Sequence, residues 1–291
     1  MIHLVYPHDP ARIAAPWSIG NHLARGIRAA GHHVAQYDWA ESVVIEPEPD
    51  VDILLGHPHP AAGHVFRNSA MGPWGKVIAI SPWNGSDEYT DNLTYVYNSV
   101  DHLLCICGEY WAGQLPWKCG GVSAIDMAVE PLDFSPLEFT FRPPGRRKFL
   151  YIGCTLPIKN PEKIAAVADK YTVGHCGYGS IPGTVHHGHV DFSTEEGRAI
   201  VSEYDFLLML SDHDANPTTV LEAMSWGIIP LCSQGSGYVS PDVVVVDSAS
   251  VLDYWQHASP DKLLDRQELG WSIVKDKYTW DRFVTRVMEV I

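Results

Sequence analysis

Short, almost wholly apolar runs recur along the chain, and polar or helical stretches separate them. Runs of this kind are typical of strands that a parallel sheet buries on both faces. Their alternation with helical segments predicts an α/β fold with doubly wound sheets. The predicted strands lie at 2–6, 51–56, 76–81, 102–107, 148–153, 205–211, 228–232 and 243–246.

Apolar positions at helical spacing predict the helices that connect these strands. Ser18 is a candidate N-cap for a helix that Gly31 ends. Residues 161–170 predict a second amphipathic helix, and the last helix, from Trp280, carries an apolar stripe suited to packing.

An aperiodic, proline-rich stretch near 129–147 divides the chain into two such domains. We expect an N-terminal domain over 1–130, a linker over 131–147, a C-terminal domain over 148–272 and a last helical segment over 273–291.

Charge and composition exclude several classes of protein. The chain has 35 acidic and 20 basic residues and a formal net charge of -15, which opposes non-specific binding to nucleic acid or to an anionic membrane. No apolar stretch is long enough for a transmembrane helix, and the N-terminus does not resemble a signal peptide. The six cysteines lack the spacing of a disulfide scaffold, so we expect reduced thiols in a cytoplasmic protein.

The most informative segment is 204–237, which predicts a strand, an acidic turn, a short helix, a second strand and a glycine-rich turn. Asn216 is predicted as the helix cap and Pro217 as the first helical residue. The amides of Thr218 and Thr219 would then point outward. Because a helix N-terminus binds anions, a phosphate or diphosphate is the predicted ligand.

Two carboxylates flank this predicted anion site: Asp214 precedes the helix and Glu222 lies within it. Carboxylates accept hydrogen bonds from hydroxyl groups. A ligand that carries both a diphosphate and hydroxylated rings therefore fits, and a sugar nucleotide has both features.

The stretch DANPTTVLEAMSWGIIP resembles the donor motif of retaining glycosyltransferases of the GT-B fold, a group that includes glycogen synthase, sucrose synthase and bacterial mannosyltransferases. That motif has two acidic residues separated by seven others, and Asp214 stands in place of its usual first glutamate. The resemblance implies that Asp214 holds hydroxyls of the donor sugar and that Glu222 holds the ribose hydroxyls. It also implies that Thr218 and Thr219 contact the diphosphate.

Other segments resemble the same family. FLYIGCTLPIKN is similar to the strand that opens the nucleotide domain, with Lys159 at the position of a phosphate-binding lysine. HCGYGS, with Gly177, is similar to the glycine turn beside the nucleotide base. YTWDRFVTRVMEVI is similar to a helix that crosses back onto the first domain.

The sequence departs from the family pattern at two places. Cys154 stands where the family usually has an arginine, and Arg12, Arg146 and Arg198 are the candidates to replace that charge. The first-domain loop PHDPARIAAPWSIG keeps only Gly20 near the helix start, and Gly20 is predicted as a donor-binding residue.

The resemblance implies two Rossmann-like domains that face each other across a cleft. It also implies a nucleotide-diphosphate sugar donor, a small-molecule or saccharide acceptor, retention of configuration and no metal or other cofactor. The catalytic candidates are His57, Lys159 and Asp214. Lys159, together with the helix amides, would stabilise the departing diphosphate. His57 follows strand 51–56, close to His59, and would contact the transferring sugar or orient the acceptor.

Several alternatives stay open from the sequence. A sugar-nucleotide epimerase or a phosphorylase could use the same fold, and a non-catalytic sugar-nucleotide-binding protein would explain Cys154. A nicotinamide-binding protein is disfavoured because PHDPARI, after the first strand, has no glycine.

Two motifs raise the question of a metal site. Asp212 and Asp214 form an Asp-x-Asp pair, which we interpret as part of the helix-cap turn. His186, His187 and His189 could bind zinc, although closely spaced loop histidines are usually solvated.

Overall fold

The computed structural model describes residues 1–12, 15–59, 64–85, 93–117, 119–130 and 140–291. Within these residues the chain divides into two compact units. The first unit contains Met1–Met127 and Trp280–Ile291, and the second contains Ala128–Thr279. Most of the predicted linker, including the PLDFSP segment, falls on residues 131–139, which lie outside the described residues.

The first unit contains a six-stranded parallel sheet with strand order β2-β1-β3-β4-β5-β6. The apolar runs correctly predict β1, β3, β4 and β5. They miss β2, which is only half-buried, and β6, which is largely exposed, because neither strand needs two apolar faces. The strands are β1 (Ile2–Val5), β2 (Val34–Tyr37), β3 (Ile53–Gly56), β4 (Lys76–Ser81), β5 (His102–Cys105) and β6 (Val122–Ala124).

The helices of the first unit include α1 (Ala15–Ala29), α2 (Val65–Ser69), α3 (Gly108–Ala112) and, from the end of the chain, α9 (Trp280–Met288). Ser18 lies inside α1, so its predicted capping role is wrong, whereas Gly31 follows the helix in the left-handed conformation that suits glycine. Helix α9 packs on α1, where the ring of Trp280 stacks on His22 at 4.0 Å between centroids.

The second unit contains another six-stranded parallel sheet, with strand order β12-β11-β10-β7-β8-β9. From β7 the chain moves outward to β8 and β9, and it then returns to β10 on the other side of β7. This reversal between β7 and β10 is a topological switch point, where open α/β sheets bind ligands beyond the carboxyl ends of the strands. The strands are β7 (Phe149–Ile152), β8 (Val173–Cys176), β9 (Val185–Gly188), β10 (Phe206–Met209), β11 (Ile229–Cys232) and β12 (Val244–Val245).

The helices of the second unit cover both faces of its sheet. A buried apolar cluster that includes Phe149, Ile164, Leu208 and Leu252 joins the sheet to the helices on one face. Each such side chain contributes about 1.5–3 kcal/mol by its burial. The helices are α4 (Pro161–Ala168), α5 (Glu195–Ser202), α6 (Thr218–Ser225), α7 (Ala249–His257) and α8 (Pro260–Lys277).

A buried arginine fixes the start of β7. Arg147 is 1% exposed. Its guanidinium donates hydrogen bonds to the carbonyl groups of Trp255 at 2.7 Å, Gln256 at 3.1 Å and Ala258 at 2.6 Å. These carbonyls at the end of α7 satisfy the buried donors of Arg147, so the cation joins that helix end to the central strand.

Among the helices of the described residues, none combines the length and apolar character required to cross a lipid bilayer.

Candidate functional site

The loops that follow β7 and β10 lie side by side at the switch point of the second sheet. The amide of Asp212, after β10, donates a hydrogen bond of 3.1 Å to the carbonyl of Ile158, after β7. Because the carboxyl ends of parallel strands meet at one edge, this contact brings the donor motif together with Lys159.

Lys159 and Asp214 form an ion pair in which the ammonium group of Lys159 donates to Oδ2 of Asp214. The side chains are only 22% and 11% exposed. Ser211 Oγ donates to the same carboxylate oxygen at 3.3 Å, and the amide of Asp214 donates to the carbonyl of Gly235 at 2.8 Å. The sequence pattern predicts no role for Ser211, because the residues around it form no motif that includes it. An ammonium group has three N–H donors, so Lys159 can hold Asp214 and a phosphate oxygen together.

The neighbouring Asp212 pairs with a different lysine. Nζ of Lys163 lies 2.7 Å from Oδ1 of Asp212, and both side chains are about half exposed, at 52% and 53%. The hydrogen bond from Lys163 lowers the pKa of Asp212. Each carboxylate of the Asp-x-Asp motif therefore has its own ammonium partner.

The three histidines of the possible zinc cluster contact three different groups. His186 shares a hydrogen bond with the carbonyl of Gly177, His187 with the hydroxyl of Tyr204, and the ring of His189 stacks on Tyr178. Across the part of the chain that the structure describes, no three His, Cys, Asp or Glu side chains are grouped as metal ligands.

Helix α6 begins one residue later than the sequence predicts. Pro217 is the N-cap, and Asn216 lies before the helix in the left-handed conformation, with φ of 56°. The prediction of Asn216 as cap and Pro217 as first helical residue is therefore wrong. The physical reason is non-local: the amide of Asn216 donates to the carbonyl of Ser236 at 3.1 Å. Asparagine tolerates the backbone conformation that this bond requires.

Several polar groups at the start of α6 have no partner among the described residues. They include the backbone amides of Thr218 and Thr219, the hydroxyl of Thr219 and both amide atoms of the Asn216 side chain. Asn216 is 2% exposed. Because a buried polar atom without a partner costs about 1–3 kcal/mol, these groups are suited to hydrogen bonding with a polar ligand.

Glu222 lies one turn into α6 from Thr218. Burial raises the pKa of Glu222, and a hydrogen bond from the Thr218 side chain partly opposes that shift. The carboxylate is thus desolvated, which strengthens its interaction with any hydroxyl group that donates to it.

Gly177 allows the loops after β7 and β8 to pack backbone against backbone. A Cβ atom at Gly177 would lie 2.0 Å from the carbonyl oxygen of Gly153. Nε2 of His175 lies 2.9 Å from the same oxygen. Glycine at position 177 is therefore required by packing, a role that is compatible with its predicted place beside the nucleotide.

The candidate replacements for the arginine missing at Cys154 occupy different places. Arg146 is exposed and precedes β7, so it lies at the opposite edge of the sheet from Lys159. Arg198 donates from its guanidinium to the carbonyl of Ser193 at 3.1 Å. Arg12 belongs to the first unit. Lys159 is the cation for which the structure shows a contact with the donor motif.

In the first unit, His57 lies at the switch point of the sheet, directly after β3. Its side chain is 4% exposed, and Nδ1 lies 3.0 Å from the carbonyl oxygen of Ile80, to which it donates. Burial lowers the pKa of His57 to about 4, the bond to Ile80 opposes this shift, and His59 and His64 lower the pKa further. His57 is therefore neutral at pH 7, with Nε2 as a hydrogen-bond acceptor.

Gly20 lies in α1 against the loop after β1. A Cβ atom at this position would lie 2.3 Å from the carbonyl oxygen of Pro7. Close packing explains the glycine, and its predicted contact with the donor stays a prediction.

The half-buried His22 and the buried His57 predict a loss of stability in mild acid. Burial lowers the pKa of both to about 4, below the value of about 6.5 expected in the unfolded chain. Between these pH values the unfolded chain binds more protons, so the free energy of unfolding falls as the pH is lowered from 6.5 to 4. Urea unfolding at several pH values measures this dependence.

The variant His57→Asn tests the contribution of one group. We expect the pH dependence of its unfolding free energy to be smaller than that of the parent chain, by up to about one proton. The same substitution at the exposed His8 serves as the control. An unchanged slope in His57→Asn contradicts the assignment of a neutral buried imidazole.

No protein-family model matches the sequence, and no curated protein matches it significantly. Solved structures do resemble the fold. Sucrose-phosphate synthase from Thermosynechococcus elongatus superposes with a TM-score of 0.68 at 13% identity, over 99% of this chain and 97% of that chain. The chain has the GT-B fold. This confirms the predicted α/β class with two doubly wound sheets.

Two further structures share the GT-B fold. An α-glucosyltransferase in complex with UDP and a DNA 13-mer gives a TM-score of 0.60 at 11% identity, over 100% of this chain and 98% of that chain. TarM gives a TM-score of 0.63 at 11% identity, over 84% of this chain. The chain spans about half of the length of TarM, 55%.

Proposed function

We propose that this GT-B chain is a glycosyltransferase that moves a sugar from a nucleoside-diphosphate sugar to an acceptor. The observation that carries the proposal is the grouping of Lys159, Asp214 and the N-terminus of α6 at the switch point of the second sheet. Sheets of this kind bind ligands at that point. The group combines a cation, unpartnered amides and carboxylates, which match a diphosphate joined to hydroxylated rings.

Each candidate residue has a distinct role in this proposal. Lys159 and the amides of Thr218 and Thr219 bind the diphosphate, together with the polar groups of Asn216 beside Pro217. Glu222 accepts hydrogen bonds from the ribose hydroxyls. Asp214 accepts hydrogen bonds from hydroxyls of the donor sugar, and Gly177 lies beside the base.

The chemistry follows from where charge develops. As the bond between the anomeric carbon and the diphosphate oxygen breaks, negative charge accumulates on the leaving group. A fixed ammonium group and oriented amides stabilise that charge without reorganisation. We propose transfer with retention, in which the acceptor attacks from the face of the leaving phosphate and gives its proton to it. This step requires no protein nucleophile.

UDP-sugars are the first donors to test, because the α-glucosyltransferase of the same fold was determined with UDP. The test measures nucleotide release from UDP-, GDP- and ADP-sugars, with and without a panel of acceptors. NMR gives the anomeric configuration of the transferred sugar. A product with the same configuration as the donor sugar supports the proposal, whereas an inverted product overturns the retaining mechanism. An altered donor sugar supports an epimerase.

A non-catalytic sugar-nucleotide-binding protein is the second candidate, and the observation that favours it is Cys154. This residue is partly buried after β7 and gives the diphosphate no charged partner. Tight binding of UDP-sugars without release of nucleotide, across all acceptors, distinguishes this function from transfer.

We predict that transfer does not need a divalent metal. Asp212 and Asp214 each hold a lysine ammonium group, so cations already neutralise both carboxylates. Dialysis against EDTA should leave the rate within about twofold, because Lys159 and the helix amides stabilise the leaving group instead. A rate lost on chelation and restored by Mn²⁺ contradicts this prediction.

A further inference from the structure

The glycine-rich turn after β11 has no role in the proposed function. This turn, SQGSGY, comprises residues 233–238 and follows β11 directly. Its residues Gln234–Ser236 form a short 3-10 helix, which ends at Gly237 in the left-handed conformation, with φ of 90°. Glycine adopts this conformation without steric cost. We call residues 233–238 the SQGSGY turn.

The SQGSGY turn lies against the backbone that leads into α6. The carbonyl of Gly235 accepts a hydrogen bond of 2.8 Å from the amide of Asp214, and the carbonyl of Ser236 accepts one of 3.1 Å from the amide of Asn216. A Cβ atom at Gly235 would lie 2.2 Å from the carbonyl oxygen of Asp212. The turn therefore fixes the backbone of the donor motif at two of its residues, and glycine permits that close approach.

Tyr238, the last residue of the turn, extends these contacts to the N-cap of α6. Its hydroxyl donates a hydrogen bond of 3.0 Å to the carbonyl of Pro217. The same carbonyl accepts a bond of 3.1 Å from the amide of Val220, in the first turn of the helix. A carbonyl oxygen has two lone pairs, so it can accept both bonds. Because Tyr238 is only 2% exposed, water competes little for its hydroxyl.

The carbonyl of Pro217 and the amide of Thr218 belong to one peptide group. Because a peptide group is planar and trans, its C=O and N–H bonds point in opposite directions. A hydrogen bond that fixes the carbonyl oxygen therefore also fixes the direction of the Thr218 N–H. The bond polarises the peptide group as well, which makes that N–H a stronger hydrogen-bond donor.

A second buried tyrosine packs on the ring of Tyr238. The ring centroids of Tyr238 and Tyr278 lie 6.1 Å apart, with an interplanar angle of 67°. The hydroxyl of Tyr278 donates to Oδ2 of Asp242, and Nζ of Lys277 lies 2.7 Å from the same oxygen. The two hydroxyls thus have different partners: that of Tyr278 donates to a carboxylate, whereas that of Tyr238 donates to the donor motif.

We propose that Tyr238 is a positioning residue for transfer, whose hydroxyl fixes the Pro217–Thr218 peptide so that the Thr218 amide points at the leaving diphosphate. Tyr238 contacts no reacting atom and acts through that peptide. The proposal rests on the proposed glycosyltransferase function and adds to it a residue outside the donor motif. Since oriented amides stabilise the charge that develops on a leaving group, the hydroxyl of Tyr238 contributes mainly to kcat.

Tyr238→Phe tests this role, because it removes the hydroxyl and keeps the buried ring. The measurement is steady-state transfer from the UDP-, GDP- or ADP-sugar that the parent chain uses. We expect kcat to fall about tenfold, the factor that one hydrogen bond of ordinary strength provides. The KM for the donor should stay within about twofold, as it does when the lost interaction strengthens in the transition state.

Tyr278→Phe is the matched control, since it removes a buried hydroxyl from the same pair of rings. Thermal unfolding should show a lower melting temperature for both variants, because each loses a buried hydrogen bond. Tyr278→Phe should nevertheless keep the parental kcat. Parental kcat in Tyr238→Phe, or an equal fall of kcat in both variants, overturns the positioning role and indicates that the tyrosine pair only stabilises the fold.

NMR on the free chain distinguishes this inference from the proposed function. Loss of a hydrogen bond shields a carbonyl carbon, so the carbonyl signal of Pro217 should move upfield in Tyr238→Phe, and the amide signal of Thr218 should move with it. Both should stay in place in Tyr278→Phe. A parent chain that neither binds UDP nor transfers a sugar removes the proposed function. Signals of Pro217 and Thr218 that Tyr238→Phe leaves unchanged overturn the positioning role alone.

Discussion

Replacing Glu222 with alanine is expected to weaken UDP binding at least 100-fold, as measured by isothermal titration calorimetry. Glu222 is desolvated in α6, where burial raises its pKa. Ribose hydroxyls that donate to this carboxylate replace the water that burial removes, and charge-assisted hydrogen bonds of this kind are about twice as strong as neutral ones. The conservative variant Glu222→Gln keeps the shape but loses the charge, and it should weaken binding about tenfold.

The stability of Glu222→Gln distinguishes a binding role from a structural one. A carboxyl group whose pKa is raised on folding stabilises the fold while protonated, and it loses that contribution as the pH rises through the raised pKa. Above that raised pKa, the desolvated charge of Glu222 therefore opposes folding. We expect Glu222→Gln to unfold at a higher temperature than the parent chain while it binds UDP more weakly.

The matched control for Glu222 is Glu162→Gln. Glu162 is an exposed glutamate in the first turn of α4, on the same unit. It should leave both UDP affinity and stability unchanged. Glu222→Ala that binds UDP with parental affinity contradicts the ribose assignment, and a destabilised Glu222→Gln with normal affinity indicates a structural role.

The α/β fold follows from the sequence because strands buried on both faces leave an unmistakable pattern of apolar runs. Strand β4 coincides with the predicted run at 76–81. Strand β8 is also buried, but the sequence VGHC places Gly174 and His175 in it, so it is not an apolar run. Strand β9 lies at the sheet edge, where Val185 and His186 are exposed. Edge and polar strands depend on neighbours that are distant in sequence.

The donor motif could be located from local sequence, but its geometry could not. The conformation of Asn216 depends on the carbonyl of Ser236, twenty residues later. Lys159 meets Asp214 only because β7 and β10 are adjacent in the sheet. The hydrogen bonds of the buried Arg147 could not be predicted from local sequence either, since its partners lie at the end of α7. Spacing within a motif contains no information about contacts of this kind.

Replacing Lys159 with methionine is expected to reduce the rate of transfer about 100- to 1,000-fold, as removal of one preorganised stabilising group does in other enzymes. It should also destabilise the fold by about 2–4 kcal/mol, because it leaves the buried carboxylate of Asp214 without its cation. Activity and stability therefore fall together in this single variant. Steady-state rates and urea unfolding measure the two effects.

The double variant Lys159→Met/Asp214→Asn separates the two effects of the ion pair. It removes both charges, so stability should return to within about 1 kcal/mol of the parent chain. Transfer should stay lost, because the diphosphate lacks its ammonium group and the donor sugar lacks its carboxylate. If the pair is only structural, the double variant regains activity together with stability.

The pair Lys163–Asp212 provides the matched control, since it joins the same two segments of the chain near the same strand ends. Both of its side chains are about half exposed, and exposed ion pairs contribute about 0–1 kcal/mol. Lys163→Met/Asp212→Asn should therefore leave transfer within about twofold. Each double variant removes one positive and one negative charge. A difference between their rates of transfer therefore follows from the position of the pair and not from the net charge of the site. Equal losses in both double variants indicate that the loops need charge in general, and they contradict a specific contact between Lys159 and the diphosphate.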